Sequence, residues 1–185
     1  MSYFILSQDN RILDAVEPAG LTSLLTKEML TEETVHLLDE LVLQVPIQQR
    51  EHVTYVDFIQ RPFPLLSDRL KQLVVKYVPK MLCKAVVLAD REQMRQDLYW
   101  VFVPPRIDCL SDKTEFYQDN TMKRLILDQN KIGRRSFFRI NGIREEHLVV
   151  NLGLAESILR RDFTGIQLQK VELEVQREDE MKWPS

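Results

Sequence analysis

A chain of 185 residues, 44% hydrophobic and 29% charged, can bury a sizeable core and keep a solvated surface, which points to one globular domain and excludes a disordered chain. No run approaches the roughly 18 apolar residues that cross a bilayer, and the apolar patch Tyr3–Leu6 is too short and lacks the basic flank of a secretory leader, so a cytoplasmic protein is expected. The net charge of −3 hides a split: residues 1–60 hold ten acidic and three basic side chains, residues 61–170 hold 13 and 20, and residues 171–185 hold five and two. Either an acidic face steers a basic partner, or the two halves pack and neutralise each other.

Tyr3–Ser7 reads as an opening strand with Gln8-Asp9-Asn10 as its turn. From Thr22 to Leu43 the pattern is helical but ambiguous. Thr31 is a candidate N-cap, Glu32 and Glu33 suit a first turn, and Val35, Leu38, Leu41 and Val42 share a face. The alternative is a strand, Val42–Val45, ended by Pro46. Val53–Ile59 alternates as a strand that Pro62 and Pro64 break. Ser67 then stands at an N-cap, followed by Asp68, with Leu70, Leu73, Val74 and Tyr77 at helical spacing and Pro79 as the stop. That predicts a helix over Ser67–Val78, about 18 Å long.

Met81–Ala89 and Leu98–Val103 are nearly continuous apolar runs, read as strands covered on both faces and joined by a loose link, Asp90–Asp97. Arg106–Leu110 resumes the second run, and Ser111–Thr121 reads as polar loop or short helix. Leu125–Asp128 and Phe137–Ile140 suggest a hairpin, and Asn141-Gly142 a turn from Phe137–Ile140 to Glu146–Val150. Asn151 caps a helix over Leu152–Arg161, with Gly165 at or just after its left-handed stop. In the last strand Ile166 and Leu168 alternate in one phase and Val171, Leu173 and Val175 in the other, so the strand is bulged or passes from one core to another. A frayed acidic tail holding Trp183 follows.

Chemistry is sparse. Cys83 and Cys109 lie in apolar runs and read as buried free thiols. His36, His52 and His147 are scattered, without metal-ligand spacing, and the isolated glycines build no phosphate-cradling loop, so no metal and no cofactor are expected. Ser67 and Ser111 lack a Gly-flanked elbow. Cys109 could meet His147 only across the fold, and Asp108 beside it opposes ionisation. The basic cluster Lys131, Arg134, Arg135, Arg139 and Arg144 flanks Phe137 and Phe138, but neighbouring strand residues point to opposite faces and form no stacking platform, so no nucleic acid is expected.

Asp57-Phe58-Ile59, then LLSDRLKQLV, then DLYWVFVPPRIDCLS, the Phe137-Phe138-Arg139 step and the closing LVVNLGLAESILRRDFTGIQLQKV together resemble immunity protein family eleven of bacterial polymorphic toxin systems, formerly a domain of unknown function. The likeness spans roughly residues 50–175 and departs from the family pattern at Cys109-Leu110-Ser111-Asp112. It implies an uncharacterised family of single α+β domains that block a neighbouring toxin by binding it, with no catalytic residue.

The expectation is therefore an α+β protein, a mainly antiparallel twisted sheet with two or three helices packed on it. It divides into an acidic N-terminal segment (1–52, a strand plus helix in the same domain), an immunity-like core (53–176) and a tail (177–185). It binds and neutralises a cognate protein toxin, is not an enzyme and touches no membrane. Glu32, Glu33, Asp39 and Glu40 are the candidate partner-binding residues. The rivals are an enzyme whose site is assembled only in the fold and a structural module that associates with itself.

Overall fold

The computed structural model describes residues 2–174; Val175 and the acidic tail with Trp183 lie outside the described residues. The strands are β1 (Tyr3–Gln8), β2 (Gln44–Pro46), β3 (Phe58–Ile59), β4 (Leu65–Ser67), β5 (Leu82–Asp90), β6 (Arg95–Val103), β7 (Arg106–Ile107), β8 (Glu115–Phe116), β9 (Met122–Arg124), β10 (Ile126–Asp128), β11 (Phe137–Ile140), β12 (Leu148–Asn151), β13 (Ile166–Lys170) and β14 (Glu172–Glu174). The helices are α1 (Asp68–Tyr77), α2 (Gln129–Ile132) and α3 (Leu152–Leu159). The chain is α+β. Its strands form two five-stranded sheets, in the orders β13-β1-β12-β11-β7 and β2-β5-β6-β4-β3, and two separate strand pairs, β10-β14 and β8-β9. Each large sheet is antiparallel except at one edge, where β7 joins β11 and β2 joins β5 in parallel.

Period-two alternation sorts the side chains into stacked cores. Sheet two turns Leu65, Val86, Leu88, Tyr99 and Val101 toward the N-terminal segment, which contributes Val16, Leu21, Leu25, Leu38 and Val45. Its opposite face offers Phe58, Leu66 and Phe102 to α1, α3 and sheet one, from which Leu6, Phe137, Leu148 and Val150 arrive. The far face of sheet one packs Tyr3, Phe138 and Val149 against Cys109, Leu127 and Ile132. Phe137 and Phe138 thus serve different cores: Phe137 meets Phe102 at 5.6 Å between centroids and Phe138 meets Tyr3 edge-on at 5.9 Å.

Both main helices begin where a side chain relieves the orphan amides of the first turn. Ser67 accepts from the Leu70 amide at 3.2 Å and Asn151 from the Leu154 amide at 2.9 Å. Tyr77 then ties the helices together, its hydroxyl reaching the Gly153 carbonyl at 3.1 Å and Ser157 Oγ at 2.5 Å. The phase switch in the last strand is a passage between cores: Ile166 and Leu168 flank the middle core, Val171 and Leu173 the far one.

The N-terminal segment folds otherwise than expected. Thr22–Leu43 holds three 3₁₀ turns, Leu21–Ser23, Lys27–Met29 and Val35–Glu40, and no α-helix. Of the proposed face Leu38 is fully buried, but Val42 is 86% exposed. A short helix in water depends on a continuous buried stripe, and here separate leucines insert one at a time. The alternative strand is present in part, as β2 ended at Pro46.

The Val53–Ile59 strand shrinks to β3, because residues 54–57 bond to partners outside any ladder: Val16 N–H to the Thr54 carbonyl and Asp57 N–H to the Thr164 carbonyl. β5 and β6 extend to Asp90 and Arg95, so their link is a four-residue hairpin loop with Met94 at positive φ. The face of this hairpin turned away from the N-terminal segment is only partly covered, leaving Leu98 exposed, and Leu82 is exposed at the strand's start on the face it shares with Val86 and Leu88. The proposed pairing of residues 125–128 with 137–140 does not form. β10 runs parallel to β14, β11 lies between β12 and β7, and α2 occupies the link. Residues 111–121, read as loop or helix, contribute β8 to a small ribbon with β9.

Candidate functional site

The middle core does not run to the end of sheet one. Along β11, Phe137 and Arg139 share a face, so the apolar row that begins at Phe137 ends in a guanidinium. Opposite it on β12 stands Leu148. A cleft of about 470 Å³ opens there, walled by Arg139, Glu145, Glu146, His147 and Leu148 from this hairpin, by Gln60, Arg61, Pro62 and Pro64 from the β3–β4 loop, and by Lys27. The loop wall is fixed to β1 by a reciprocal pair: Gln8 N–H donates to Gln60 Oε1 at 3.0 Å and Gln60 N–H to Gln8 Oε1 at 2.8 Å. The turn leading into β12 uses Gly142 at φ +81, where a residue with Cβ would be strained.

Three enclosed polar atoms at this cleft have no hydrogen-bond partner among the described residues: Arg139 Nε, Glu145 Oε2 and His147 Nε2. The Arg139 side chain is only 10% exposed, and Glu146 approaches it no closer than 3.8 Å. Glu146 is shared with Lys27, at 3.3 Å. In the neighbouring strand the residue in register with Arg139 is Arg106, a second cation. Burial, opposed by Glu146 and reinforced by Arg106, pulls the Arg139 pKa down from its ordinary value. Glu145 is anchored by the Met122 amide at 3.0 Å. That bond, with one from its own backbone, holds Glu145 below the usual carboxylate range. Burial lowers the His147 pKa against the pull of Glu145, so the imidazole is neutral at pH 7.

The other candidates separate. Cys109 is fully buried in the far core and is not part of the cleft that holds His147. Burial, then the Asp108 carboxylate, pushes its thiol up to about 11, and burial does the same for Cys83. Both are free thiols. His36 and His52 are exposed, and among the described residues no group of three or more His, Cys, Asp or Glu is placed to hold a metal ion. Ser67 caps α1, and Ser111 bonds Glu174. The basic cluster disperses: Lys131 donates to the Leu110 carbonyl, Arg135 to the Ile132 carbonyl, and Arg139 turns into the cleft.

The acidic candidates sit apart from this cleft. Glu32 and Glu33 are exposed and make no ion pair among the described residues. Glu32 borders a second cleft, of about 350 Å³, that also contains Arg106. Asp39 is 81% exposed, with Lys84 at 4.0 Å, and Glu40 ends the same 3₁₀ turn. The same stretch exposes Leu37 by 51% and Val42 by 86%.

Sequence reasoning grouped Arg139 with a basic cluster of structural or partner-facing charge and read His147 as one of three scattered histidines. The signal that could have found them is period-two alternation, which puts Arg139 in phase with Phe137. Among the described residues no helix is long and apolar enough to cross a membrane. Compared with protein-family models, curated proteins and solved structures, the chain matches none.

Proposed function

We propose that this chain is a non-catalytic cytoplasmic immunity protein that binds and neutralises a cognate bacterial toxin. The observation that carries the reading is the surface of the N-terminal segment, where unpaired Glu32 and Glu33 and weakly paired Asp39 lie in the same stretch as exposed Leu37 and Val42. The resemblance of residues 50–175 to immunity family eleven gives that surface its partner class. Acidic side chains raise the encounter rate with a basic partner, and apolar side chains buried at the contact slow dissociation. The test is to co-express the chain with the C-terminal region of any large secreted protein encoded beside it, with growth and purified-pair binding as readouts. Absence of both rescue and binding would overturn this function. Reversing Glu32, Glu33, Asp39 and Glu40 to Lys is expected to slow association about tenfold or more at low salt, with a smaller effect at high salt. Binding with an unchanged on-rate would leave the function and remove this docking face.

One observation favours a second reading, an enzyme: the cleft gathers a neutral imidazole, a carboxylate and a buried guanidinium. Turnover abolished by His147→Gln would establish it and displace the first.

A further inference from the structure

We infer that the Arg139 cleft is a binding site for a small molecule carrying a carboxylate beside a cationic nitrogen, of which a free amino acid is the simplest. This inference rests on the cleft alone and is independent of the toxin reading.

The first support is the state of Arg139. A guanidinium offers five donors in a planar fork, and a buried charge is costly unless it is paired and hydrogen-bonded. This one is nine-tenths enclosed, accepts no closer carboxylate than Glu146 at 3.8 Å, and leaves Nε without an acceptor. The second support is the register of the sheet. Arg139 pairs with Arg106 across a parallel ladder, and like charges directly opposite one another are destabilising. An oxyanion at Arg139 would relieve both defects at once, since the fork matches a carboxylate with two parallel hydrogen bonds.

The third support selects the ligand. Glu145, ionised, holds one oxygen on the Met122 amide and leaves the other enclosed without a donor. With Glu146 it puts two carboxylates in a lining that also holds Lys27, Arg61 and Arg139, so the cleft presents both signs of charge, which suits a zwitterion better than a doubly charged phosphate. A ligand with an ammonium group meets the two carboxylates and still gives its carboxylate to Arg139. His147 Nε2, also without a partner among the described residues, adds a polar group to a lining that includes Pro62 and Pro64.

Three matched probes test it: L-alanine, propionate (which lacks the ammonium) and ethylamine (which lacks the carboxylate), with inorganic phosphate as the competing chemistry. The readouts are the Arg139 Nε–H and His147 ring NMR signals of the intact protein. Alanine is expected to move both saturably and to bind more tightly than propionate, ethylamine or phosphate. Arg139→Met, which keeps the length and removes the fork, is expected to weaken alanine about tenfold or more. Non-saturating shifts for every probe would mean a cleft that holds only water. That result, tighter binding of phosphate or propionate than of alanine, or equal alanine affinity in Arg139→Met, overturns the inference. The wild-type Arg139 signal decides the matter even if the variant fails to fold.

Discussion

Replacing Asp57 with Ala should cost about 2–3 kcal/mol of folding stability, because this one carboxylate joins three separate pieces of chain. Ser67 Oγ donates to Oδ1 at 2.6 Å, while the Thr164 amide and Arg69 Nη2 donate to Oδ2 at 2.8 and 2.9 Å. Its own backbone adds bonds to Ser67 and Thr164. Truncation removes the acceptor of the Thr164 amide, and because Thr164 is exposed water takes over part of that bond, so the cost is about 1 kcal/mol. The Ser67 hydroxyl keeps its cap to Leu70 and loses only its outgoing bond, about 1 kcal/mol. Arg69 is 60% exposed, and a screened pair of that kind adds less than about 1 kcal/mol. Asp57→Asn keeps one acceptor and should cost about half as much. Equilibrium urea unfolding reads these values, with an unchanged denaturant slope as the sign that only stability moved. An Asp57→Ala loss below about 1 kcal/mol, or an Arg69→Ala cycle that carries most of the effect, would refute the assignment of Asp57 as the structural knot.

Gly165→Ala is expected to cost about 3 kcal/mol or more, since φ is +74 and the new methyl would sit 2.4 Å from Val56 Cβ; thermal unfolding measures it, and a neutral result would mean that this loop can move off Val56. For His147 the sign follows from a pKa held below its ordinary 6.5 by burial, with Glu145, Glu146, Arg139, Lys27 and Arg61 as the charges at the cleft. The unfolded chain takes up a proton that the folded chain resists, so stability is full above pH 6.5 and falls as pH drops through it. His147→Gln should flatten that part of the urea-midpoint profile between pH 8 and 5.5, and an unchanged profile would refute it.

What could be read from the sequence was whatever local chemistry decides. Ser67 and Asn151 announce helices because a cap needs a short oxygen side chain before an apolar stripe, and Asn141-Gly142 announces the β11–β12 turn. The Ile166-to-Leu173 phase switch left a bulge or a passage between cores as alternatives, and the structure has the passage, with β13 on the middle core and β14 beside the far one. Pairings between distant segments left no such mark. β10 looks like half of a hairpin with β11, yet its partner is β14, and nothing in Leu125–Asp128 encodes that choice. The N-terminal segment misled because helical spacing of Val35, Leu38 and Leu41 counts only if one surface receives all three. The cleft was hidden for a related reason. Arg139 is charged, and only the sheet register and the β3–β4 loop together show that it is enclosed.

The charge split read from the sequence is not dissolved by packing. Between residues 1–60 and 61–170 the pairs that set an acid of the first segment against a base of the second are Arg69–Asp57 and the longer Lys84–Asp39. Asp9 and Glu17 turn instead to Arg11 and Arg50, within their own segment. The N-terminal segment is therefore held to sheet two by Val16, Leu21, Leu25 and Leu38, and much of its acidity faces water. That distinguishes the two proposed surfaces by physics alone. Exposed carboxylates act over a screening length of about 8 Å at physiological salt, so a partner steered by Glu32 and Glu33 must lose association rate as salt rises. Arg139 lies inside a walled cleft where screening is weak, so a small ligand held there should keep most of its affinity in the same titration. A protein carrying both surfaces would show the two behaviours side by side.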